Sequence, residues 1–430
     1  MSAQPEVLII GAGVAGLTAA RDLTAAGARV LVLEARDRLG GRVLTHHTPD
    51  GPVELGAEFV HGAVEETLSV AREAALPLRE TDRGPPRVSG TDRETAEEKA
   101  EQPADIFSAM DVVLAHASAD GPDESFQHLV DRVDAAPEIK ARCLALVTGY
   151  HAADPPRMSV QALLKNTAAD ERPGANRQFR FANGYDGLVS AISQRIDHIL
   201  CEVRLDTVVT AVGWARRRVV VRTSAGQEFG APQLIVTVPL GVLKAGAIGF
   251  SPRLADKEEV IGRLEMGDAE RVSLCLASDA WVAPESFPSG GFLMTGEPPF
   301  PVWWVSRPPP FPVVTGWSGG RNARALAELG GAARVDAAVA ALAAALGADA
   351  GRLRQDLRGG FSHNWLEDPF ARGAYSYAGV GGSDAGTELA VPIDGTLFFA
   401  GEATESDGQN GTVHGAIASG RRAAKQALGR

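Results

Sequence analysis

Cysteine is scarce in this chain, which has only three among its 430 residues. Cys143, Cys201 and Cys275 stand far apart and form no CxxC pair. An odd number at this spacing argues against a disulfide framework and a thiolate metal site, and we expect no bound metal ion. Because free cysteines suit a reducing compartment, we predict a cytoplasmic protein.

Long hydrophobic runs are also lacking. The longest alanine-rich apolar stretch, 337–348, is well short of the about 20 residues that a membrane span needs. The apolar run near the N-terminus has no basic leader before it, and a strand, a turn and a helix explain it. We therefore expect neither a membrane anchor nor a secretion signal.

Clustered positive charge is the third absence. The formal net charge is −12, from 42 Lys and Arg against 54 Asp and Glu, and the basic residues are scattered along the chain. A nucleic-acid-binding surface needs a Lys/Arg stripe, so we expect no nucleic-acid partner. The zinc-protease pattern HExxH and the phosphate-loop pattern GxxxxGK are absent as well. An acidic protein of this kind can attract cationic ligands.

A glycine-rich turn follows the first apolar strand, where residues 7–16 read VLIIGAGVAG. Only glycines suit such a turn, and the helix that begins near Val14 would point its amides and positive dipole end at a pyrophosphate. Glu34 ends the second strand, where its carboxylate can accept hydrogen bonds from an adenosine ribose and would repel a 2′-phosphate. This spacing predicts a dinucleotide with free ribose hydroxyls.

The length of the chain predicts two structural domains. A strand at 396–400 and a helix at 412–428 repeat the strand, glycine turn and helix of the beginning, so the chain returns to the nucleotide-binding sheet. We also expect a helix over 188–199, a strand over 203–212 and an exposed loop over 81–103. The predicted boundaries are 1–62, 178–250 and 361–430 for the discontinuous nucleotide domain, and 63–177 and 251–360 for the second domain.

Five ordered motifs resemble the FAD-dependent amine oxidases over nearly the whole chain. They are the N-terminal turn with its RDRLGGR extension at 36–42, LGA at 55–57 with HG at 61–62, PFARGAYSY at 369–377, FAGE at 399–402 and GTVHGA at 411–416. The resemblance is closest to the branch of the polyamine oxidases and histone lysine demethylases. It implies an α/β fold, with a discontinuous Rossmann-like FAD-binding domain and a second, mixed α+β substrate-binding domain.

FAD contacts follow from the same resemblance. Glu34 would hold the ribose, Arg36 and Arg42 would reach the phosphates and ribityl chain, and Val208 would contact the adenine from a strand. Surface salt bridges are the alternative for both arginines. Family monoamine oxidases tether the flavin through a cysteine where this chain has Ala374, so the FAD is expected to be non-covalent. The other predicted contacts are Gly11, Gly13, Ala15, Gly16, Ala35, Gly40, Gly41, Gly56, Ala57, Glu58, Phe59, Trp365, Gly401 and Glu402.

The resemblance also implies an aromatic wall beside the flavin. Tyr375 matches one side of this wall, Thr412 stands on the other, half-open side, and Trp365 lies near the flavin. The amides of Thr412 and Val413 begin the last helix, where they would stabilise negative charge on the reduced flavin. His61 matches a residue that faces the substrate tunnel and is a candidate for binding the amine. Ordinary core packing is the alternative for the aromatic residues and for His61.

One position departs from the family pattern. Oxidases of the family carry a lysine ten residues before a tryptophan, where it holds a water near flavin N5 and assists reoxidation by oxygen. Counting back from Trp281 leads to Arg271, whose planar guanidinium cannot present a point charge in the same way. We therefore predict slow reoxidation by O2 and keep another electron acceptor open.

The reaction implied is hydride transfer to flavin N5 from the carbon next to an amine nitrogen, followed by hydrolysis of the imine. The cofactor supplies this chemistry, so no acid–base pair need appear in the sequence. A polyamine, a monoamine and an amino-acid-derived amine stay open as the substrate, and the oligomeric state stays open too. The alternatives are a flavin desaturase or oxidase of an apolar cyclic or polyene substrate, and a non-catalytic flavin-binding protein.

Overall fold

The computed structural model describes residues 4–81, 106–170, 172, 174–175, 177–283, 286–287, 291–306, 311–405 and 407–429. The loop predicted at 81–103 lies outside these residues except for its first position. The strands are β1 Val7–Ile10, β2 Val30–Leu33, β3 Thr45–Thr48, β4 Gly51–Glu54, β5 Val60–His61, β6 Leu78–Glu80, β7 Gln178–Phe181, β8 Cys201–Arg204, β9 Val209–Ala215, β10 Arg218–Thr223, β11 Glu228–Ala231, β12 Gln233–Val236, β13 Gly249–Ser251, β14 Leu264–Met266, β15 Ala269–Leu276, β16 Phe292–Met294, β17 Val302–Ser306, β18 Val313–Gly319, β19 Leu357–Phe361, β20 Ser376–Ala378 and β21 Leu397–Phe399.

The helices alternate with these strands. They are α1 Val14–Ala25, α2 Glu65–Glu73, α3 Ile106–Leu114, α4 Phe126–Arg132, α5 Pro137–Gly149, α6 Val160–Asp170, α7 Asp186–Ser193, α8 Leu240–Lys244, α9 Ala255–Arg263, α10 Gly320–Ala327, α11 Gly331–Ala345, α12 Ala350–Gln355, α13 Ala385–Ala390 and α14 Val413–Ala427. Among the described residues, no helix combines the length and the apolar character needed to cross a membrane.

A five-stranded parallel sheet forms the centre of the nucleotide-binding half, in the order β21, β12, β1, β2, β8. Strands β1 and β2 read VLII and VLVL and are buried throughout, as continuous apolar strands are when helices or sheets cover both faces. Helices α1 and α14 pack together on one face. Their backbones come so close that a Cβ on Gly420 would lie 2.4 Å from the carbonyl oxygen of Ala15.

The strands of this sheet come from three separate parts of the chain. Strands β1 and β2 lie within 1–62, β8 and β12 lie within 178–250, and β21 lies within 361–430. These are the segments predicted for the discontinuous nucleotide domain, although the residue boundaries of the two domains stay a prediction. The carboxyl ends of the parallel strands meet at one edge, where α/β proteins bind their ligands.

An antiparallel sheet and a helical cluster make up the other half. The sheet has the order β16, β17, β18, β15, β19, and α11 packs on one of its faces. Strand β15 alternates, so Val272 and Leu274 pack toward the helices while Arg271 and Ser273 point to the opposite face. Helices α3, α4, α5 and α6 enclose a further apolar core. This alternation brings Arg271 to the cavity described below.

Two predicted elements were wrong in their bounds. The strand expected at 203–212 is broken, because β8 belongs to the parallel sheet and β9 to a four-stranded sheet, with Asp206 at φ 50° between them. Val208 therefore lies just before β9 instead of within a strand. The helix expected to reach residue 199 ends at Ser193, and the Asp197 carboxylate accepts a hydrogen bond from the Ile199 amide at 2.8 Å. Such a local turn competes with helix continuation.

Candidate active site

One cavity of about 1170 Å³ extends from the carboxyl edge of the parallel sheet to the antiparallel sheet. It exceeds the roughly 300–1,000 Å³ of ordinary small-molecule sites, as a cavity for a dinucleotide and a substrate must. Among the residues predicted from the sequence, Gly16 is outside its lining. The predicted residues that line it are Gly11, Gly13, Ala15, Glu34, Ala35, Arg36, Gly40, Gly41, Arg42, Gly56, Ala57, Glu58, Phe59, His61, Val208, Arg271, Trp365, Tyr375, Gly401, Glu402, Thr412 and Val413.

The glycine turn closes one end of the cavity. Gly11 has φ +103°, which favours glycine, and a Cβ on Gly16 would lie 2.0 Å from the Gly11 carbonyl oxygen. Gly16 thus keeps helix α1 close to the turn without facing the cavity. A Cβ on Gly13 would meet no protein atom within 4 Å, and no side chain caps the start of α1. The first amides of α1 are therefore suited to a phosphate.

Glu34 is fixed at the end of β2. Its side chain accepts hydrogen bonds from the amide of Ala12 at 2.6 Å and from the amide of Arg36 at 2.9 Å, and the residue is 4% exposed. The carboxylate at this point of the cavity wall suits ribose hydroxyls and disfavours a 2′-phosphate.

Arg36 lines the cavity but its guanidinium is already paired. Its Nη2 donates to Asp368 at 2.7 Å, and the group stands 5.4 Å from the ring of Phe370. Burial alone would raise the pKa of Asp368, but hydrogen bonds from His363 and Arg36 lower it well below its usual range. The pair ties the turn after β2 to the segment before β20. Contact between Arg36 and a phosphate stays a prediction.

Glu402 joins three separate segments around the cavity. The buried carboxylate accepts hydrogen bonds from Arg42 Nη1 at 2.8 Å, Ser376 Oγ at 2.6 Å and the amide of Gly411 at 2.9 Å. Arg42 also donates to the carbonyl of Ala374 at 2.8 Å. The predicted cofactor residues Arg42 and Glu402 therefore form one ion pair that fixes the strand bearing Ser376 and the turn before α14.

Trp365 and Gly56 fit together on another wall. The indole of Trp365 donates to the carbonyl of Leu55 at 2.8 Å, and its ring lies 4.2 Å from the ring of His363. A Cβ on Gly56 would lie 2.0 Å from the carbonyl oxygen of Arg42, so this position admits only glycine. Trp365 is 5% exposed and lines the cavity. Its indole is thereby held in a fixed orientation.

The N-terminus of α14 opens on the cavity. The Thr412 hydroxyl accepts a hydrogen bond from the Gly415 amide at 3.0 Å and donates to the Gln409 carbonyl at 2.6 Å. This side chain, predicted to form one side of the substrate wall, thus also serves as the helix cap. The following amides begin at Val413 and present the positive end of the helix dipole to the cavity.

Aromatic rings line the deeper part of the cavity, and the end of α5 orients two of them. The hydroxyl of Tyr375 donates to the carbonyl of Tyr150 at 2.5 Å, and the indole of Trp317 donates to the carbonyl of Gly149 at 2.9 Å. The ring of His61 stands edge-on to Tyr150 at 5.7 Å. Tyr375 and His61 were both predicted as site residues and are 314 positions apart in sequence. They therefore come together around one helix end.

Arg271 is held in a buried ion pair. Its Nη2 donates to Glu58 at 2.6 Å, its Nη1 donates to the carbonyl of Gly56 at 2.9 Å, and the side chain is 4% exposed. The guanidinium lies 5.6 Å from the ring of Trp304, whose indole also donates to Glu58 at 3.1 Å. The position predicted from the lysine pattern is therefore occupied by a buried guanidinium that protein groups hold in place.

Glu58 stands between two arginines. Besides Arg271, the Nε of Arg180 lies 3.1 Å from its carboxylate, and the hydroxyl of Ser306 donates to it at 2.7 Å. Burial alone would raise the pKa of Glu58, but the charges of Arg180 and Arg271 and these hydrogen bonds lower it. The carboxylate is ionised at neutral pH. Glu58, predicted as a cofactor contact, thus binds protein groups on several sides.

Several lining residues were not predicted from the sequence. Tyr150 and His151 follow α5, Trp304 and Trp317 lie on the antiparallel sheet, and Glu66 lies in the first turn of α2. None stands in a glycine turn or at a diagnostic spacing, so only the folded chain reveals them. Within the described ranges, no cluster of His, Cys, Asp or Glu could hold a metal ion.

A parallel sheet, a glycine turn with Glu34 beyond it, and a cavity that continues into an aromatic pocket define a two-domain, dinucleotide-binding oxidoreductase. The family description "Flavin containing amine oxidoreductase" matches residues 14–428. Polyamine oxidase 3 of Oryza sativa subsp. japonica is 30% identical over 98% of this chain and 89% of its own length. From the same organism, lysine-specific histone demethylase 1 homolog 2 is 31% identical over 98% of this chain and 57% of its own length.

Among solved structures, a putrescine oxidase bound to putrescine superposes with a TM-score of 0.80 and 21% identity, over 99% of each chain. This likeness confirms the predicted fold class. The chain belongs to the family of flavin-containing amine oxidoreductases. The predicted enzyme class, an FAD-dependent amine oxidase acting on small-molecule amines, is confirmed, and the desaturase and non-catalytic alternatives are set aside.

The cofactor is FAD, bound without a covalent link. The residues present fit it, because the uncapped start of α1, the open space beside Gly13 and the carboxylate of Glu34 provide for its phosphates and ribose. Cys143, Cys201 and Cys275 are buried, and none of them lines the cavity. No thiol is therefore placed to form a tether.

Proposed function

We propose that this enzyme oxidises aliphatic diamines or polyamines. The observation that carries the proposal is the carboxylate of Glu66, which lines the cavity and has no ion-pair or hydrogen-bond partner among the described residues. Glu405 also lines the cavity, and its carboxylate accepts hydrogen bonds from the amides of Asp407 and Gln409 at 2.8–2.9 Å. These carboxylates suit a second, cationic nitrogen of the substrate.

Glu66 and Glu405 line the cavity on two segments that hydrogen bonds connect, and we call this part of the wall the acidic rim. The amide of Ala63 donates to the carbonyl of Gly174 at 2.9 Å, and Arg172 donates to the carbonyl of Asp407 at 3.2 Å. These bonds connect the chain just before α2, where Glu66 lies, with the turn before α14. A diamine extending from the aromatic pocket toward this rim would reach negative charge with its far end.

The aromatic pocket suits the alkyl part of such a substrate. The ring centroids of Phe59 and Trp304 are 5.5 Å apart, and those of Phe59 and His61 are 5.7 Å apart. Aromatic faces bind methylene groups and attract ammonium groups. Relatives called polyamine oxidases and a structural neighbour called putrescine oxidase support the same substrate class.

Within this reaction, FAD supplies the chemistry by accepting a hydride from the carbon next to the amine nitrogen. We assign Tyr375 to the wall against which the amine lies, because its hydroxyl is fixed by the Tyr150 carbonyl. His61 contributes a second polar ring to the pocket, and Thr412 fixes the helix end opposite. The protein thus orients the amine and excludes water, as effective positioning requires.

We propose that the electron acceptor is not restricted to O2, because Arg271 is engaged by Glu58 and the Gly56 carbonyl. A guanidinium held in this way does not present a point charge to a single water. The cytoplasm is the compartment we propose, on the ground of three unpaired cysteines at positions that form no disulfide.

Steady-state kinetics with 1,4-diaminobutane and 1-aminobutane test the substrate class. The Glu66→Gln variant should raise KM for the diamine about tenfold, equivalent to about 1.4 kcal/mol, and leave KM for the monoamine unchanged. Glu65→Gln is the matched control, since Glu65 is exposed on the same helix and pairs with Arg72. Equal kinetics of the Glu66→Gln and native enzymes on the diamine would refute the proposal.

A further inference from the structure

His151 lines the cavity at the end of α5, and nothing above assigns it a role. No described residue forms a hydrogen bond with its imidazole. Its ring is partly enclosed and stands edge-on to the ring of Tyr150, at 5.2 Å and 88°. A polar ring that is partly enclosed, has no hydrogen-bond partner among the described residues and opens on a cavity is suited to a ligand.

The backbone that carries His151 is held firmly. Its own amide and that of Tyr150 donate to the carbonyl of Leu146, at 3.4 and 2.8 Å. The carbonyl of Ala152, a residue with φ 49°, accepts a hydrogen bond from the backbone amide of Asp268 at 3.2 Å. These bonds link the turn to the strand region that also supports Tyr375. The imidazole is thereby placed on a fixed support, as a binding group should be.

The charge state of His151 suits an amine. Burial lowers the pKa of His151 to about 4, so the ring is neutral at physiological pH and offers one N–H donor and one acceptor nitrogen. Helix α5 has no basic residue in its last turn, and its negative dipole end points toward this part of the cavity. The neutral imidazole and the negative end of the helix dipole therefore do not repel an amino group or its ammonium form.

The turn that carries His151 also orients Tyr375. The carbonyl of Tyr150, the residue adjacent to His151, accepts the hydroxyl hydrogen bond of Tyr375. His151 therefore belongs to the part of the cavity where the reacting amine lies against Tyr375.

We propose that His151 accepts a hydrogen bond from the reacting amino group and is a specificity-determining residue of this oxidase. The inference rests on the amine oxidase activity and on the amine lying against Tyr375, and it does not depend on the second nitrogen of the substrate. It applies equally to monoamines and diamines, which separates it from the role of Glu66.

Binding of 2-methylpropan-2-amine to the FAD-loaded enzyme tests the proposal. This primary amine has no hydrogen on the carbon next to nitrogen and so cannot be oxidised, and its Kd is measured from the change in flavin absorbance. His151→Phe keeps a ring of similar size and should raise Kd about tenfold, and it should raise KM for 1-aminobutane more than it lowers kcat. His151→Gln keeps a hydrogen-bond acceptor and should stay within about threefold.

The control is His128→Phe, at an exposed position on α4 in the same helical region. An unchanged Kd in His151→Phe would overturn the proposal. If that variant does not fold, ring nitrogen NMR of the native enzyme decides, because the His151 signal should shift on addition of 2-methylpropan-2-amine and a constant signal would overturn it. Loss of monoamine binding in His151→Phe without any diamine preference in the native enzyme would support His151 and refute only the proposed substrate class.

Discussion

Replacement of Gly13 by alanine should weaken FAD binding while leaving the apoprotein stable. Gly13 caps α1 with φ −70° and ψ 177°, a conformation that alanine adopts freely. Its Cβ would meet no protein atom within 4 Å and would project into the open space at the turn. This is the space that the cofactor's phosphates need if the turn binds them.

The expected magnitudes separate the two effects. In the apoprotein, alanine at a helix cap costs about 0.5–1 kcal/mol relative to glycine. The same change lowers the conformational entropy of the unfolded chain and so stabilises the folded state by about 0.4–1 kcal/mol. The two effects offset each other, so the free energy of unfolding should hardly change. In the complex, an added methyl group in a filled site costs roughly 1–3 kcal/mol. The Kd for FAD should therefore rise by about 5- to 150-fold.

Titration of the apoprotein with FAD, followed by quenching of flavin fluorescence, measures this Kd, and thermal unfolding of the apoprotein measures stability. Gly16→Ala is the contrasting variant, because its Cβ would lie 2.0 Å from the Gly11 carbonyl oxygen. It should lower the melting temperature of the apoprotein itself. If Gly13→Ala bound FAD as tightly as the native chain, the assignment of this turn to the phosphates would be wrong.

Three further predictions concern other parts of the cavity. Arg271→Lys should raise the rate at which the reduced enzyme regains its flavin absorbance in oxygenated buffer, since lysine gives a point charge, and an unchanged rate would count against the role of Arg271. Burial raises the pKa of Glu54 to about 7, above its unfolded value near 4.5, so the folded state binds more protons and the free energy of unfolding should fall as pH rises from about 4.5 to 7. Urea unfolding at several pH values should show this fall, on the order of 1–3 kcal/mol, reduced in Glu54→Gln, and equal slopes in both proteins would contradict it. Acid precipitation should leave the flavin in the supernatant because no cysteine lines the cavity, whereas flavin in the pellet would contradict non-covalent binding.

The nucleotide end of the cavity could be predicted from the sequence because its signals are local. The glycines of the turn and Glu34 lie within 24 residues of one another. The apolar pattern of this segment predicts a strand, a helix and a second strand, which places both signals at the same edge of the sheet. Gly16 lies outside the cavity lining and faces the Gly11 carbonyl, and the contacts of these residues with FAD stay predictions. The family resemblance added FAD and the amine oxidase activity, whereas the return of the chain to the sheet followed from the strand, turn and helix pattern near its end.

The substrate end could not be predicted in the same way, because its contacts join residues far apart in sequence. Glu58 and Arg271 are separated by 213 residues, and their pairing depends on which face of β15 meets the cavity. The same limit applies at the nucleotide end to the pairing of Arg36 with Asp368, which spans 332 residues. His151 follows a helix end that no spacing marks, and its position is fixed only when Tyr375 packs against that end.

The assembly of the parallel sheet from three separate segments has a consequence for biosynthesis. The ribosome must release the chain through β21 and α14, which ends at Ala427, before the sheet edge and the turn at Gly411 can form. A nascent polypeptide thus lacks a complete cofactor cradle until the ribosome has synthesised the segment through α14. Earlier segments must keep their apolar strands from aggregating in the meantime, and FAD can be bound only after α14 has joined the fold.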